Sequence, residues 1–427
     1  MPEFLKDLTA VGIVDQVIFY FFLVLFIWGG TNKFGRKNEI NDDYTSLETM
    51  KSLRGFAAIG VILHHISQVD MFQQKGILAP FLNAGAYFVA IFFFCSGYGL
   101  IKSLDSKPDY LKGFVRKRIV KAIVLPFYVN ILFYVFYNLG DALTGTNIPA
   151  ERWILNLTGI TMMNPFGWYP VVIALLYLVF FLSFRFIKKR PIALGIVLLF
   201  IIAMGIGFCF NGHFVWWVGK KNWWLSPAAN TAPWWQQQKV FWFNGEWWVN
   251  SAPAFFTGLL FASYEKHIAG FFKKLYVVKF HVLLILTMIF YKLSAFGQTK
   301  FGYWTEYAGK GPGIEDKIKT YFCQVPLFLF LGLTIIIFLM KYHVSNPISR
   351  FFGKYSFHTY LMNLLAIGIM ILIFTPQVQK TVGKFSTIVF AIGVFAFTIG
   401  LGILEQKVTG LLQKVLFKEK KKKEVAA

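Results

Sequence analysis

Charge is scarce in this chain: 15% of its 427 residues are Asp, Glu, Lys or Arg, against about a quarter in soluble globular proteins. Acid is scarcer still, with 20 Asp and Glu facing 43 Lys and Arg, a formal charge of +23. Cysteine is nearly missing. Cys95, Cys209 and Cys323 each lie in or beside an apolar stretch and none falls in a C-x-x-C pattern, so neither a disulfide framework nor a metal site is expected. No G-x-S-x-G, H-E-x-x-H or Walker sequence is present to claim the chemistry. No soluble domain, long linker or internal repeat is legible.

What the chain has instead is long apolar runs. Hydrophobic residues make up 56% and the mean hydropathy is +0.56. The excess is gathered in blocks of about twenty residues, the length a helix needs to cross about 30 Å of hydrocarbon. Lipid offers the backbone no partners, so such blocks must be helical. The expected fold is an all-α polytopic membrane bundle. Eleven spans are legible, near 11–30, 55–72, 81–101, 119–139, 166–186, 191–210, 249–265, 276–295, 320–340, 355–375 and 384–405. The first is too long for a signal-peptide core and lacks a clear cleavage site, so it is read as a membrane span.

Orientation follows from Lys and Arg. With the N-terminus outside, 30 of the 43 fall in inside segments, which sets the C-terminus in the cytoplasm. The basic excess then belongs to cytoplasmic loops and the lipid bilayer rather than to nucleic acid. Three parts follow: residues 1–44, a transmembrane helix and loop; 45–406, the main membrane domain; and 407–427, a basic tail suited to anionic headgroups. Outside, residues 211–248 hold nine of the 13 Trp.

Ionisable groups inside spans are costly and therefore functional candidates. The second span reads SLRGFAAIGVILHHISQ. Arg54 stands at its inner end, with His64 and His65 toward the outer half. Eleven residues separate Arg54 from His65, leaving them about 20° apart around the helix and about 16 Å apart along it. His64 points about 80° away from Arg54. A shared face suits a ligand held by charge at one end and reacting at the other, with His65 as general base. Spacing alone leaves open that Arg54 reaches to headgroups and both His are packed polar residues. His213, His267, His281, His343 and His358 read as structural.

Five motifs then occur in order over residues 52–363. SLRGFAAIGVILHHI carries an Arg and a His eleven apart. FFFCSGYGLIKSL opens on a Phe-rich run that ends in Ser96-Gly97 and an aromatic residue, Tyr98. RKRIVKAIVLP is basic and leads to a Pro. FGWYPVVIALLYL opens on Trp168 and Tyr169. FGKYSFHTYLMN carries Tyr360 and ends on Asn363. Together they resemble the acyltransferase family 3 membrane proteins, in the polysaccharide-modifying branch. Three features depart from the family pattern. Asn363 stands where a His is usual, Lys121 replaces the second of two Arg, keeping charge without the bidentate fork, and WYPVV replaces a form with a carboxylate. Span 11–30 precedes the family's ten-helix core.

The resemblance implies transfer of an acyl group, mostly acetyl, from cytoplasmic acetyl-CoA or another acyl-CoA to a hydroxyl of a cell-envelope polysaccharide or related glycan. His65 and Arg54 would be the catalytic residues. Arg116, Arg118 and Lys121, with Arg54, would hold the donor's phosphates, and Ser96 and Gly97 would break the third span to let backbone approach the donor. His64, Trp168, Tyr169, Tyr360 and Asn363 are carried over by motif position as acceptor contacts. The outer Trp segment offers stacking surfaces for sugars, or an interfacial belt. No metal is implied, and a homodimer is compatible with the pattern. Two other readings stand beside this one. A glycan transporter or flippase would also use intramembrane His and Arg, but has no need of a coenzyme A site. A scaffold would be indifferent to His65→Ala.

Overall fold

The structure is a computed structural model, and it describes residues 13–36, 39–73, 76–143, 154, 164, 167–209, 251–301 and 314–417. Its principal helices are α1 (Ile13–Ile27), α2 (Leu47–Ser67), α3 (Gly85–Ser106), α4 (Leu125–Leu143), α5 (Trp168–Phe186), α6 (Arg190–Cys209), α7 (Pro253–Ser263), α8 (Glu265–Lys273), α9 (Tyr276–Lys300), α10 (Ile314–Leu339), α11 (Pro347–Ile373) and α12 (Ser386–Leu416). Among the described residues the only strands are β1 (Thr31–Asn32) and β2 (Tyr342–His343), an antiparallel pair.

Each apolar block of the sequence falls on a helix, and eight helical stretches are long and apolar enough to cross a membrane. α1 and α7 are apolar but shorter. α2 has the length with fewer apolar residues, and its ends differ most from expectation. It starts at Leu47 rather than 55, because Ser46 caps it by accepting from the Thr49 amide, and it stops at Ser67. Arg54 therefore lies two turns inside the helix rather than at its end. The outward face of α9 is apolar, with Val277, Val278, Ile285 and Met288 exposed, as a lipid-facing surface requires.

Two seams organise the bundle. α2 and α11 run side by side, as do α3 and α7. In each, glycines remove the Cβ where backbones meet. A Cβ on Gly55 would lie 1.8 Å from the Ser349 carbonyl oxygen, and one on Gly353 would lie 1.9 Å from that of Lys51. Across the other seam a Cβ on Gly97 would lie 2.2 Å from the Phe255 oxygen, and one on Gly258 2.2 Å from that of Phe94. Small residues at helix contacts are the usual means of close packing in lipid.

The extra helix α1 is fastened to the start of α11. The Asn346 side-chain amide donates to the Leu25 carbonyl at 2.7 Å while its oxygen caps α11 through the Ser349 amide. The Lys341 ammonium donates to the carbonyls of Lys33, Arg36 and Glu39.

A second fastening joins α8, the α2 approach and α3. Glu265 accepts from Tyr44 and Thr45 on one oxygen and from Tyr98 and Lys102 on the other, at 2.9–3.1 Å. Burial alone would raise its carboxyl pKa, but the hydrogen bonds from Lys102, Thr45 and Tyr98 and the Lys102 charge outweigh burial and hold it below the ordinary value. A depressed folded-state pKa contributes stability above the unfolded value, lost as pH falls through the folded one. Glu265→Gln is expected to lower the thermal midpoint of the purified protein by about 2–4 °C at neutral pH, on the order of 1 kcal/mol after solvent screening. The gap to wild type should close in acid, below the ordinary carboxylate range. An unchanged midpoint at neutral pH would show that the clasp adds nothing.

Candidate active site

The α2–α11 seam fixes the register that matters. Gly55 lies against Ser349 and Gly353, and ten residues further along α2 the His65 Nδ1 meets the Asn363 Oδ1 at 2.6 Å. The two helices are thus parallel and in step over about 15 Å. Asn363 is fully buried, and its amide nitrogen donates to the Thr398 hydroxyl of α12 at 3.2 Å. With that nitrogen engaged, its oxygen accepts from Nδ1–H of His65, so Nε2 of His65 carries the lone pair. The hydrogen bond from one ring nitrogen to a buried neighbour fixes the orientation of the His65 ring.

His64 belongs to a different set of contacts. Its Nδ1 donates to the Phe81 carbonyl at 2.8 Å, Gln68 donates to its Nε2 at 3.3 Å, and its ring occupies the space a Cβ on Gly85 would fill. Both rings are buried, with centroids 5.2 Å apart.

From the face carrying the starts of α2 and α11 a cavity of 1020 Å³ runs into the bundle between α2, α3, α5, α11 and α12. Arg54, Arg118 and Lys121 line it, as the motifs implied, and so do Lys51, Lys102, Lys107 and Lys354, which spacing did not single out. No Asp or Glu is among the lining residues. Arg54 is half-buried, and its Nε is buried without a hydrogen-bond partner among the described residues. An unpaired guanidinium donor beside a cation-lined cavity fits a phosphate-bearing ligand.

The basic motif folds unusually. Val115–Val124 is a π-helix, with hydrogen bonds reaching back five residues, as from the Leu125 amide to the Val120 carbonyl; such wide turns are rare and often functional. The next donor in that series would be residue 126, which is Pro and has no N–H. The Lys121 carbonyl is freed, and Gln413 of α12 donates to it at 2.8 Å. The stretch turns Arg118 and Lys121 into the cavity, with the Arg118 guanidinium 5.6 Å from the Tyr110 ring. Arg116 is exposed, lies over Phe417 at 5.6 Å and does not line the cavity.

Ser96 and Gly97 do not break the third span. α3 is continuous from Gly85 to Ser106. Gly97 admits α7, and Ser96 lines the cavity with its hydroxyl 2.7 Å from that of Tyr177. A helix in lipid keeps its hydrogen bonds when a glycine can serve packing instead. At the deep end of the cavity stand Tyr169 and Tyr360, ring centroids 5.4 Å apart. Tyr360 is one turn from Asn363. Trp168 lies outside the lining, packed on Phe93 at 6.3 Å.

One residue that sequence reasoning set aside as structural lines the cavity. His358 hydrogen-bonds through Nδ1 to a carboxylate oxygen of Glu405, which is fully buried and also accepts from Thr409 at 3.0 Å. The FHTYL sequence offers no sign of it, since the partner lies 47 residues away. Among the described residues no three of His, Cys, Asp and Glu converge as metal ligands. The Trp-rich segment 211–248 lies outside the described residues.

No curated protein and no solved structure matches the chain. A family model described as the acyltransferase domain matches residues 48–404, from the first turn of α2 to the middle third of α12. That stretch contains both seams, His65 with its Asn363 partner, and most of the cation-lined cavity, and on it the chain belongs to the acyltransferase family 3 membrane proteins.

Proposed function

We propose that the chain moves an acyl group, acetyl in the simplest case, from acyl-CoA on the cytoplasmic side to a hydroxyl of a cell-envelope polysaccharide or related glycan. The observation that carries this reading is the cavity: seven Lys and Arg and no carboxylate line it, and it runs to within one helical turn of the residue that holds His65. Length supports it independently. About thirteen bonds separate the diphosphate from the sulfur in coenzyme A, an extended reach of about 15 Å, close to the about 16 Å rise from Arg54 to His65.

The chemistry asked of His65 is ordinary. Its Nε2 takes the proton of the acceptor hydroxyl as the oxygen forms a bond to the thioester carbonyl carbon. The C–S bond breaks, coenzyme A leaves as thiolate, and the proton on His65 passes to it or to water. Removing a cation at the mouth should weaken the donor without touching the base. Arg54→Ala or Arg118→Ala is expected to raise KM for acyl-CoA about 10- to 100-fold, the loss of one charge-assisted contact. Unchanged KM in both would remove the donor from this cavity.

The test in cells is acyl content of envelope glycans, by NMR or base-released acetate and succinate. A deletion strain would carry wild type, His65→Ala or Arg54→Ala at equal abundance. Acyl groups that vanish on deletion and return only with wild type support the enzyme, and the released acid names the donor. Full restoration by both variants overturns the assignment. Altered glycan export with normal acylation would favour a transporter.

A further inference from the structure

We propose that His358, clamped by Glu405, is a binding residue for the uncharged middle of the donor's arm, and that it selects donors carrying an amide there. The inference rests on the acyl-CoA reading above and adds a site to it.

The register of α2 and α11 gives His358 a depth. With Gly55 level with the Ser349–Gly353 turn and His65 level with Asn363, His358 stands level with Gly60 of α2. That is about 9 Å beyond Arg54 and about 7.5 Å short of His65. The cations that line the cavity serve anions near its mouth, and the reacting carbonyl belongs near His65. His358 lies between these two levels. About seven bonds along an extended donor arm reaches this level, where coenzyme A carries the first of its two amides.

The residue is built for a neutral polar contact. Its side chain is 14% exposed and lines the cavity. Nδ1 is fixed by Glu405, itself held by Thr409, leaving Nε2 as the polar atom for whatever occupies the cavity. A fully buried carboxylate that orients a histidine is costly to maintain for packing alone. Fixing the ring before the ligand arrives lowers the entropy lost on binding. Glu405 is thus a positioning residue, acting on the donor only through His358.

The test pairs a side chain with a donor group. Binding of acetyl-CoA would be compared with that of an acetyl-CoA analogue whose nucleotide-proximal amide is replaced by two methylenes, on the full-length protein in nanodiscs. Wild type is expected to bind the amide form about tenfold more tightly, the factor of one net hydrogen bond. His358→Ala should lose that preference, weakening acetyl-CoA about tenfold and leaving the analogue unchanged. Glu405→Gln should lose part of it, and His358→Gln should restore part. If His358→Ala weakens both donors equally, or neither, the residue has no contact with the amide and the inference fails. If wild type binds neither donor, the acyl-CoA reading fails first and this one with it.

Discussion

Replacing His65 by Ala is expected to lower acyl transfer about 10²- to 10⁴-fold, the contribution of a positioned general base, while leaving donor binding unchanged. The separation follows from the geometry. His65 is not among the residues lining the cavity, which ends at the Tyr169–Tyr360 pair one turn away. A graded series should follow the hydrogen-bond chain. Asn363→Leu removes the acceptor that holds Nδ1 and should fall between wild type and His65→Ala. Thr398→Val removes only the partner of Asn363 and should cost less again. Steady-state rates with membrane-embedded protein and a glycan fraction from the deletion strain would read the series. Transfer by His65→Ala at the wild-type rate would end the assignment of the base.

The other large effect is expected from a glycine far from any reacting atom. In Gly353→Leu the new Cβ would sit 1.9 Å from the Lys51 carbonyl oxygen and 2.7 Å from its carbon, both backbone atoms of α2. No rotamer relieves that contact, so the helices must part. Overpacking costs about 1–3 kcal/mol where side chains can adjust, and more is expected here. The register between His65 and Asn363 would be lost with it. Membrane abundance should fall sharply, and any protein that remains should be inactive. Gly195→Ala is the control, because nothing lies within 4 Å of a Cβ there; it should accumulate normally. Normal abundance and thermal midpoint for Gly353→Leu would refute the seam.

The sequence carried the parts of this fold that depend on solvent. Blocks such as 191–210 and 276–295 announce helices because lipid admits nothing else, and the structure has α6 and α9 there. Block 55–72 starts eight residues late because five of the eight residues in the first two turns of α2, LETMKSLR, are polar, and at Lys51 the helix meets α11 through its backbone. The face shared by Arg54 and His65 needed only helical arithmetic. What could not be read was everything decided by a distant partner. Asn363 lies 298 residues from His65, Glu265 163 from Lys102, and Glu405 47 from His358. Arg116 and Arg118 look equivalent in RKRIVK; two positions apart on a helix they face opposite sides, and only packing decides that Arg118 is the one turned inward. Ser96-Gly97 looked like a break because glycine weakens isolated helices; here the missing Cβ admits a neighbour.

α12 touches the site at three depths, through Gln413 at the Lys121 carbonyl, Glu405 at His358 and Thr398 at Asn363. It leaves the ribosome after both α2 and α11, and chains fold as they are made, N-terminal parts first. α2 and α11 can pair once residue 373 has been made, while the three contacts wait for α12, which begins at Ser386. A chain stopped before α12 would have the α2–α11 seam but an open cavity wall, and the contacts to Lys121, His358 and Asn363 would all arrive with that one helix.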